Sequence, residues 1–146
     1  MCKKVKVFLE STYGQLNFKG TNSRGQSVQF SGSNSAVSPM ESVLMAAAAC
    51  SSVDIEILLK KMRQPYEGVT VSIEGIRADA VPAVFTDIFL HYIIYGDVKP
   101  SKARKAVEMS MEKYCSVSIM LSKSVNIKYS FEVKAARELP HSFKTE

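Results

Sequence analysis

The run Ser38-Pro39-Met40-Glu41-Ser42-Val43-Leu44-Met45-Ala46-Ala47-Ala48-Ala49-Cys50 constrains the fold of this chain more than any other stretch. Ser38 stands where an N-cap belongs, Pro39 at the first helical position and Glu41 three residues after the cap, the layout of a capping box. A helix is predicted from there to about Met62. From Val43 to Cys50 it is apolar all round, so its surface must be covered on every side and not only on one stripe. The four consecutive alanines allow another helix or another subunit to approach closely. Beyond Cys50 polarity returns on one side, with Asp54, Glu56, Lys60 and Lys61 set against Val53, Ile57 and Leu58.

Strand patterns lie on both sides of this helix. Val5, Val7 and Leu9 alternate with Lys4, Lys6 and Phe8, and Tyr13 to Lys19 and Gln26 to Phe30 continue a meander. Tyr13-Gly14 and Asn22-Ser23-Arg24-Gly25 are its turn signals, and Ser31-Gly32-Ser33-Asn34-Ser35 is a polar loop. After the helix, Val69, Val71 and Ile73 alternate with Thr70, Ser72 and Glu74, as in a strand with one buried face. Asp79-Ala80-Val81-Pro82 connects it to Phe85–Tyr95, which is apolar on both faces, as a central strand would be. A second helix is expected over Ser101–Cys115, with Ala103, Ala106, Val107, Ser110 and Tyr114 at helical spacing. A short turn at Val117–Leu121 and a last strand at Val125–Val133 complete the pattern. This order specifies an α+β protein with antiparallel sheet, one domain over residues 1–146 with a loose tail from about Ala136 that holds Pro140 and His141.

Hydrophobic residues make up 46% of the chain and charged ones 23%, ordinary proportions for a soluble globular protein. No apolar run reaches the roughly 18 residues of a membrane span, and Met1-Cys2-Lys3-Lys4 leads into a strand pattern without a signal-peptide core. A cytoplasmic protein with no membrane partner is expected. The net charge of +5 is densest at Lys99, Lys102, Arg104 and Lys105. No aromatic residues interleave with these cations, so they are read as a solvated helix face, and nucleic acid is not an expected partner. No phosphate loop, zinc ligand cluster or serine nucleophile elbow is present, and neither metal nor cofactor is expected.

Two of the three cysteines share a setting. Cys50 and Cys115 stand about 65 residues apart, each after a helical run and each followed directly by serine. A single cysteine among alanines is usually an inert core thiol, because an apolar site raises its pKa. A second thiol in a like setting suggests redox chemistry. Cys2 is read as a bystander at the terminus. His91 is read as a satisfied core or interface histidine and not a base, Asp54 and Glu56 as solvated carboxylates, and Met109, Met111 and Met120 as core filler.

The helix from Ser38 to Cys50 resembles the S-P-x-E-(apolar)-A-A-x-x-C helix of the OsmC/Ohr family, the osmotically inducible and organic hydroperoxide resistance proteins. Glu74-x-x-Arg77-x4-Pro82-x2-Phe85-x2-Ile88 is similar to a strand-pair motif of the OsmC-like branch, and Ala106–Cys115 to its second cysteine helix. The resemblance covers about residues 38 to 133. It implies antiparallel sheets wrapped around a long central helix in an intertwined homodimer with thiol sites at the subunit interface. It also implies a thiol peroxidase acting on organic hydroperoxides during oxidative stress, with Cys50 as peroxidatic and Cys115 as resolving cysteine. Cys50 would become a sulfenic acid, Cys115 would capture it as a disulfide, and an external dithiol, in this family typically a protein-bound lipoyl group, would reduce it.

In the peroxidase branch a glutamate stands ten positions before the reactive cysteine and pairs with an arginine of the N-terminal strands. Here position 40 is methionine, Glu41 stands nine before Cys50, and residues 1–20 contain no arginine. Glu41 and Arg77 are the catalytic candidates that match the OsmC-like pattern, and Arg24 is the other available cation. The alternative from a different class is a dimer of the same fold that binds a small ligand or senses redox state without turnover.

Overall fold

In the computed structural model, which describes residues 2–11, 14–140 and 142, the strands sort into two three-stranded sheets. The sheets fall in different units of the chain, Met1–Val43 and Leu44–Glu146. The first unit is an antiparallel meander of β1 (Val7–Ser11), β2 (Asn17–Asn22) and β3 (Ser27–Ser31), registered by Leu9 opposite Gly20 and Phe18 opposite Phe30. Its second turn forms where Asn22 and Gly25 predicted it. Asn22 Oδ1 accepts from the N–H groups of Arg24 and Gln26, both at 3.0 Å, and Gly25 takes the left-handed conformation the turn needs, with φ of 81°. The expected turn at Tyr13 falls partly outside the described residues. Alternation in β1 does not produce a buried face: Val7, Phe8 and Leu9 are all exposed, at 76%, 66% and 57%.

Helix α1 (Pro39–Lys61) starts as its sequence specifies. Ser38 Oγ accepts from the Glu41 N–H at 3.1 Å, and Glu41 Oε1 accepts from the Ser38 N–H at 3.0 Å, so two N–H groups that no helical turn can serve are satisfied reciprocally. Ser38→Ala is expected to cost about 1 kcal/mol, read from urea unfolding. An unchanged midpoint would mean that the cap contributes nothing.

The pattern of burial along α1 differs from the expectation. The buried residues are Ala47, Ala48, Ser51, Ile55 and Leu59, whereas Met45, Val53 and Ile57 are about half exposed. Steps of four place Ala47, Ser51, Ile55 and Leu59 on one stripe, and that stripe faces the core while the stripe through Val53 and Ile57 does not. One chain therefore leaves uncovered a helix surface that is apolar enough to demand cover. By length and composition α1 would also suffice to cross a bilayer, which amends the expectation from apolar runs alone.

The second unit holds β4 (Tyr66–Arg77), β5 (Phe85–Gly96) and β6 (Asn126–Lys134), in the order β4-β5-β6. β4 and β5 pair antiparallel, but β6 lies parallel to β5, which corrects the expectation of purely antiparallel sheet. The physical cause is the connection. The chain leaves β5 at Gly96, crosses through two helices, and re-enters at the end where β5 began, as a helical crossover requires. β5 is central as expected, although only one of its faces is sealed. Ile88, Leu90, Tyr92 and Ile94 are at most 1% exposed, while Phe89, His91 and Ile93 look outward and are partly open.

The crossover helix is shorter than predicted. α2 covers Pro100–Met109, and the chain then makes one π-helical turn over Ser110–Tyr114, closed by the Cys115 N–H donating to Ser110 O at 2.7 Å. A wider turn rotates the side chains it carries, so Met111 is buried and Tyr114, expected on the core face, is 44% exposed. The chain continues into α3 (Ser116–Leu121), and Met120 on it is exposed and not core filler. Ala103, Ala106, Val107 and Ser110 are fully buried as expected. The basic residues lie mostly on the open side of α2, with the Arg104 guanidinium 5.7 Å from the ring centre of Phe131. A 3-10 turn at Ala136–Glu138 orders part of the expected tail, and His141 lies outside the described residues.

Candidate functional site

The two thiols expected to work together, one on α1 and one after the π turn, are neighbours within the second unit. Cys50, half-buried on α1, is a neighbour of the fully buried Cys115 and acts on its thiol, and the Cys115 sulfur lies 4.0 Å from Ala47 O on the same helix. Neither is in a disulfide, nor is the exposed Cys2. Cys115 stands between the π turn and α3 in an extended conformation, and it is itself the N-cap of α3. Its sulfur accepts from the Ser118 N–H at 3.4 Å and its S–H donates to Ser118 Oγ at 3.2 Å. The break after the π turn gives the cap position to the cysteine.

Beneath the thiols lies a polar cluster in an apolar core. Ser51, next to Cys50 but turned inward, has its Oγ 2.8 Å from Ala47 O and 2.6 Å from Tyr92 Oη. The Tyr92 hydroxyl also lies 3.2 Å from Met111 Sδ, to which it donates when Ser51 is the donor to it. Ser110 Oγ donates to Ser51 O at 2.9 Å and approaches Asp54 Oδ2 at 3.4 Å, so Asp54 is partly enclosed and not simply solvated. Among the described residues no buried side-chain nitrogen or oxygen lacks a partner. These bonds tie α1, β5 and the π turn together and fix the segments that carry both cysteines. Sequence reasoning named neither Tyr92 nor Ser51 as part of the site. The available signal was the inward parity of Tyr92 with Leu90 and Ile94, and serines placed on faces that are otherwise apolar.

Burial pushes the Cys115 thiol above its ordinary value, and the neighbouring Cys50 adds to this, while the two hydrogen bonds it shares with Ser118 oppose it. Burial likewise raises the Tyr92 phenol to about 12, so it stays protonated and able to donate. A raised thiol pKa favours the protonated form in the folded chain. Its contribution to stability is present below the unfolded thiol range and is lost as pH rises through the higher folded value. At about pH 8, near the free-cysteine range, Cys115 is expected to react with iodoacetamide well after Cys2 and Cys50, as peptide masses would record. Labelling of Cys115 as fast as Cys2 would contradict both its burial and its protonation.

The remaining candidates are placed elsewhere. Glu41 is held by Ser38, whose hydrogen bonds keep its carboxyl below the ordinary carboxylate value. Arg77 is exposed at the end of β4, and its Nε donates to Ala83 O at 2.8 Å across the β4–β5 connection. Arg24 Nε is engaged with Gln26 Oε1 at 3.1 Å in the β2–β3 turn. Among the described residues that act on the Cys115 thiol no cation appears. Among the described residues no set of histidine, cysteine and carboxylate side chains could hold a metal ion.

Over residues 32–130 the chain matches the family model described as OsmC-like protein. The chain belongs to the OsmC-like family. Protein YhfA of Escherichia coli K12 is 44% identical over 124 residues, spanning 83% of this chain and 92% of that protein. The solved structure of a hypothetical protein from Aquifex aeolicus VF5 is 32% identical, covers 92% of this chain and 98% of its own, and superposes with a TM-score of 0.85. An organic hydroperoxide resistance protein OsmC from Legionella pneumophila is 18% identical over 91% of this chain and 99% of its own, with a TM-score of 0.69, which establishes a shared fold. The OsmC-like expectation drawn from Ser38–Cys50 is thus borne out.

Proposed function

We propose that this OsmC-like protein reduces organic hydroperoxides with its two thiols. The placing of the partly open Cys50 beside the buried Cys115 carries the reading. Cys50 is the more accessible of the two, so it attacks the distal peroxide oxygen; the O–O bond breaks, the alcohol leaves, and Cys50 becomes a sulfenic acid. Cys115, close by and kept from solvent, then forms the S–S bond and releases water. Two electrons pass from the thiols to the peroxide, and an external dithiol, such as a lipoyl group, returns them. Ala46, Ala49 and Val53, exposed on the α1 surface beside Cys50, favour an apolar alkyl group on the substrate over hydrogen peroxide itself.

A homodimer belongs to the same reading. Met45, Val53 and Ile57 on α1, and Val7, Phe8 and Leu9 on β1, are more apolar than a solvated surface favours, and a second copy is the partner that could cover them. Glu41 remains the candidate for acting on Cys50 from that second copy, and Arg77 the candidate for a cation that activates it.

Titrating free thiols before and after one equivalent of cumene hydroperoxide tests the proposal. Loss of two thiols per chain is expected. Unchanged thiols would overturn it in favour of a ligand-binding dimer.

A further inference from the structure

The β4-β5-β6 sheet presents a second face, opposite the thiols, that the proposed peroxide chemistry does not use. Side chains alternate across β5, so His91 points away from the buried Tyr92 and onto this open face. Register places Ser72, His91 and Ser130 abreast, with Glu74, Phe89 and Lys128 in the adjoining row. These six residues line a groove of about 400 Å³. Within it, His91 Nδ1 lies 2.7 Å from Ser130 Oγ, and His91 Nε2 lies 2.7 Å from Glu132 Oε2. The histidine expected to be satisfied in a core or interface is satisfied, but with 37% of its side chain open to solvent.

We propose that Ser130, His91 and Glu132 form a second site that takes the acyl group of small uncharged esters, with Ser130 as nucleophile, His91 as base and Glu132 positioning the imidazole. A hydroxyl within hydrogen-bonding reach of a histidine that a third group orients is the arrangement that activates a serine. The proton positions are set by the partners. The hydrogen bond from His91 leads the effects that hold Glu132 below the ordinary carboxylate value. Glu132 therefore only accepts, the Nε2 proton points at it, and in the neutral form of the imidazole Nδ1 is left bare toward the Ser130 hydroxyl.

In the first step the Ser130 Oγ–acyl bond forms, the ester C–O bond breaks, and the Ser130 proton passes through His91 to the leaving alcohol oxygen. In the second, water attacks the acyl-serine, gives a proton to His91, and leaves the carboxylic acid and the restored hydroxyl. No oxidant or reductant is involved. Lys128, two residues before Ser130 on the same strand face, supplies a cation for the developing oxyanion. Glu74 in the groove and Glu132 on His91 disfavour anionic acyl groups, and the Phe89 ring offers an apolar floor, so short uncharged acyl esters fit best.

The full chain treated with p-nitrophenyl acetate tests this directly. Acetyl groups on cysteines are thioesters that neutral hydroxylamine removes, whereas an acetyl ester on Ser130 survives and is located by peptide mass. Acetylation at Ser130 is expected, and His91→Gln should slow it at least about a hundredfold, the low side of what general base catalysis contributes. Glu132→Gln should slow it as well, with Glu132→Asp recovering part of the rate, a rescue that a merely structural carboxylate would not give. All three side chains are on an open face, so circular dichroism should be unchanged. Acetyl found only on cysteines or lysines, or a Ser130 rate unaffected by His91→Gln, would overturn the proposal.

Discussion

Replacing Cys50 by serine is expected to abolish turnover of cumene hydroperoxide, lowering the rate by at least about a thousandfold, because a serine hydroxyl at neutral pH offers almost none of the anion that a thiol supplies. The companion Cys115→Ser should behave differently. Cys50 would still cleave the first O–O bond, so one equivalent of cumyl alcohol per chain should appear in a burst. No disulfide could form, and Cys50 would remain a sulfenic acid that dimedone traps. The contrast arises from burial: Cys50 is reachable from the open flank of α1, whereas Cys115 is enclosed beneath it and its thiol is held protonated. A burst from Cys50→Ser and none from Cys115→Ser would exchange the two roles. Full turnover in both variants would remove the thiols from the reaction altogether.

The parts of this fold legible in the sequence were those that depend on local chemistry. Ser38, Pro39 and Glu41 marked the start of α1 because a capping box is satisfied within four residues, and the bonds are as expected. Asn22 and Gly25 marked a turn for the same reason. The illegible parts depended on distance. The parallel pairing of β6 with β5 depends on where a crossover ends, and nothing in Asn126–Lys134 alone encodes the direction of its neighbour. The π turn at Ser110–Tyr114 was hidden because its helical spacing is shared by an ordinary helix up to the point where Tyr114 swings outward. The site divided in the same way. Matching cysteine settings suggested a pair, but Tyr92 looked like one aromatic residue in an apolar strand until the fold put Ser51 and Met111 at its hydroxyl. His91 looked like a core residue for a related reason: both faces of β5 read as apolar, and only tertiary packing decided which was sealed.

Tyr92→Ala is expected to be the most destabilising single change near the site, at about 3–5 kcal/mol, the range for emptying a large aromatic position in a core. The ring is fully buried at the centre of the middle strand, and its hydroxyl lies against Ser51 on α1 and Met111 in the π turn. Against a total stability of roughly 5–15 kcal/mol for a domain of this kind, such a loss is large, and urea unfolding would measure it. Tyr92→Phe separates volume from polarity. It keeps the ring and deletes the hydroxyl, yet Ser51 Oγ retains the Ala47 carbonyl at 2.8 Å as a partner, so nothing buried is left unpaired. A cost of about 1 kcal/mol is expected for that variant. The two variants should also differ in thiol chemistry. With the ring gone, α1 and the π turn lose the body that seats Cys50 against Cys115, and peroxide-driven disulfide formation should slow more than in Tyr92→Phe. Equal costs for both variants would mean that the hydroxyl network, and not the ring, holds the two cysteine segments together.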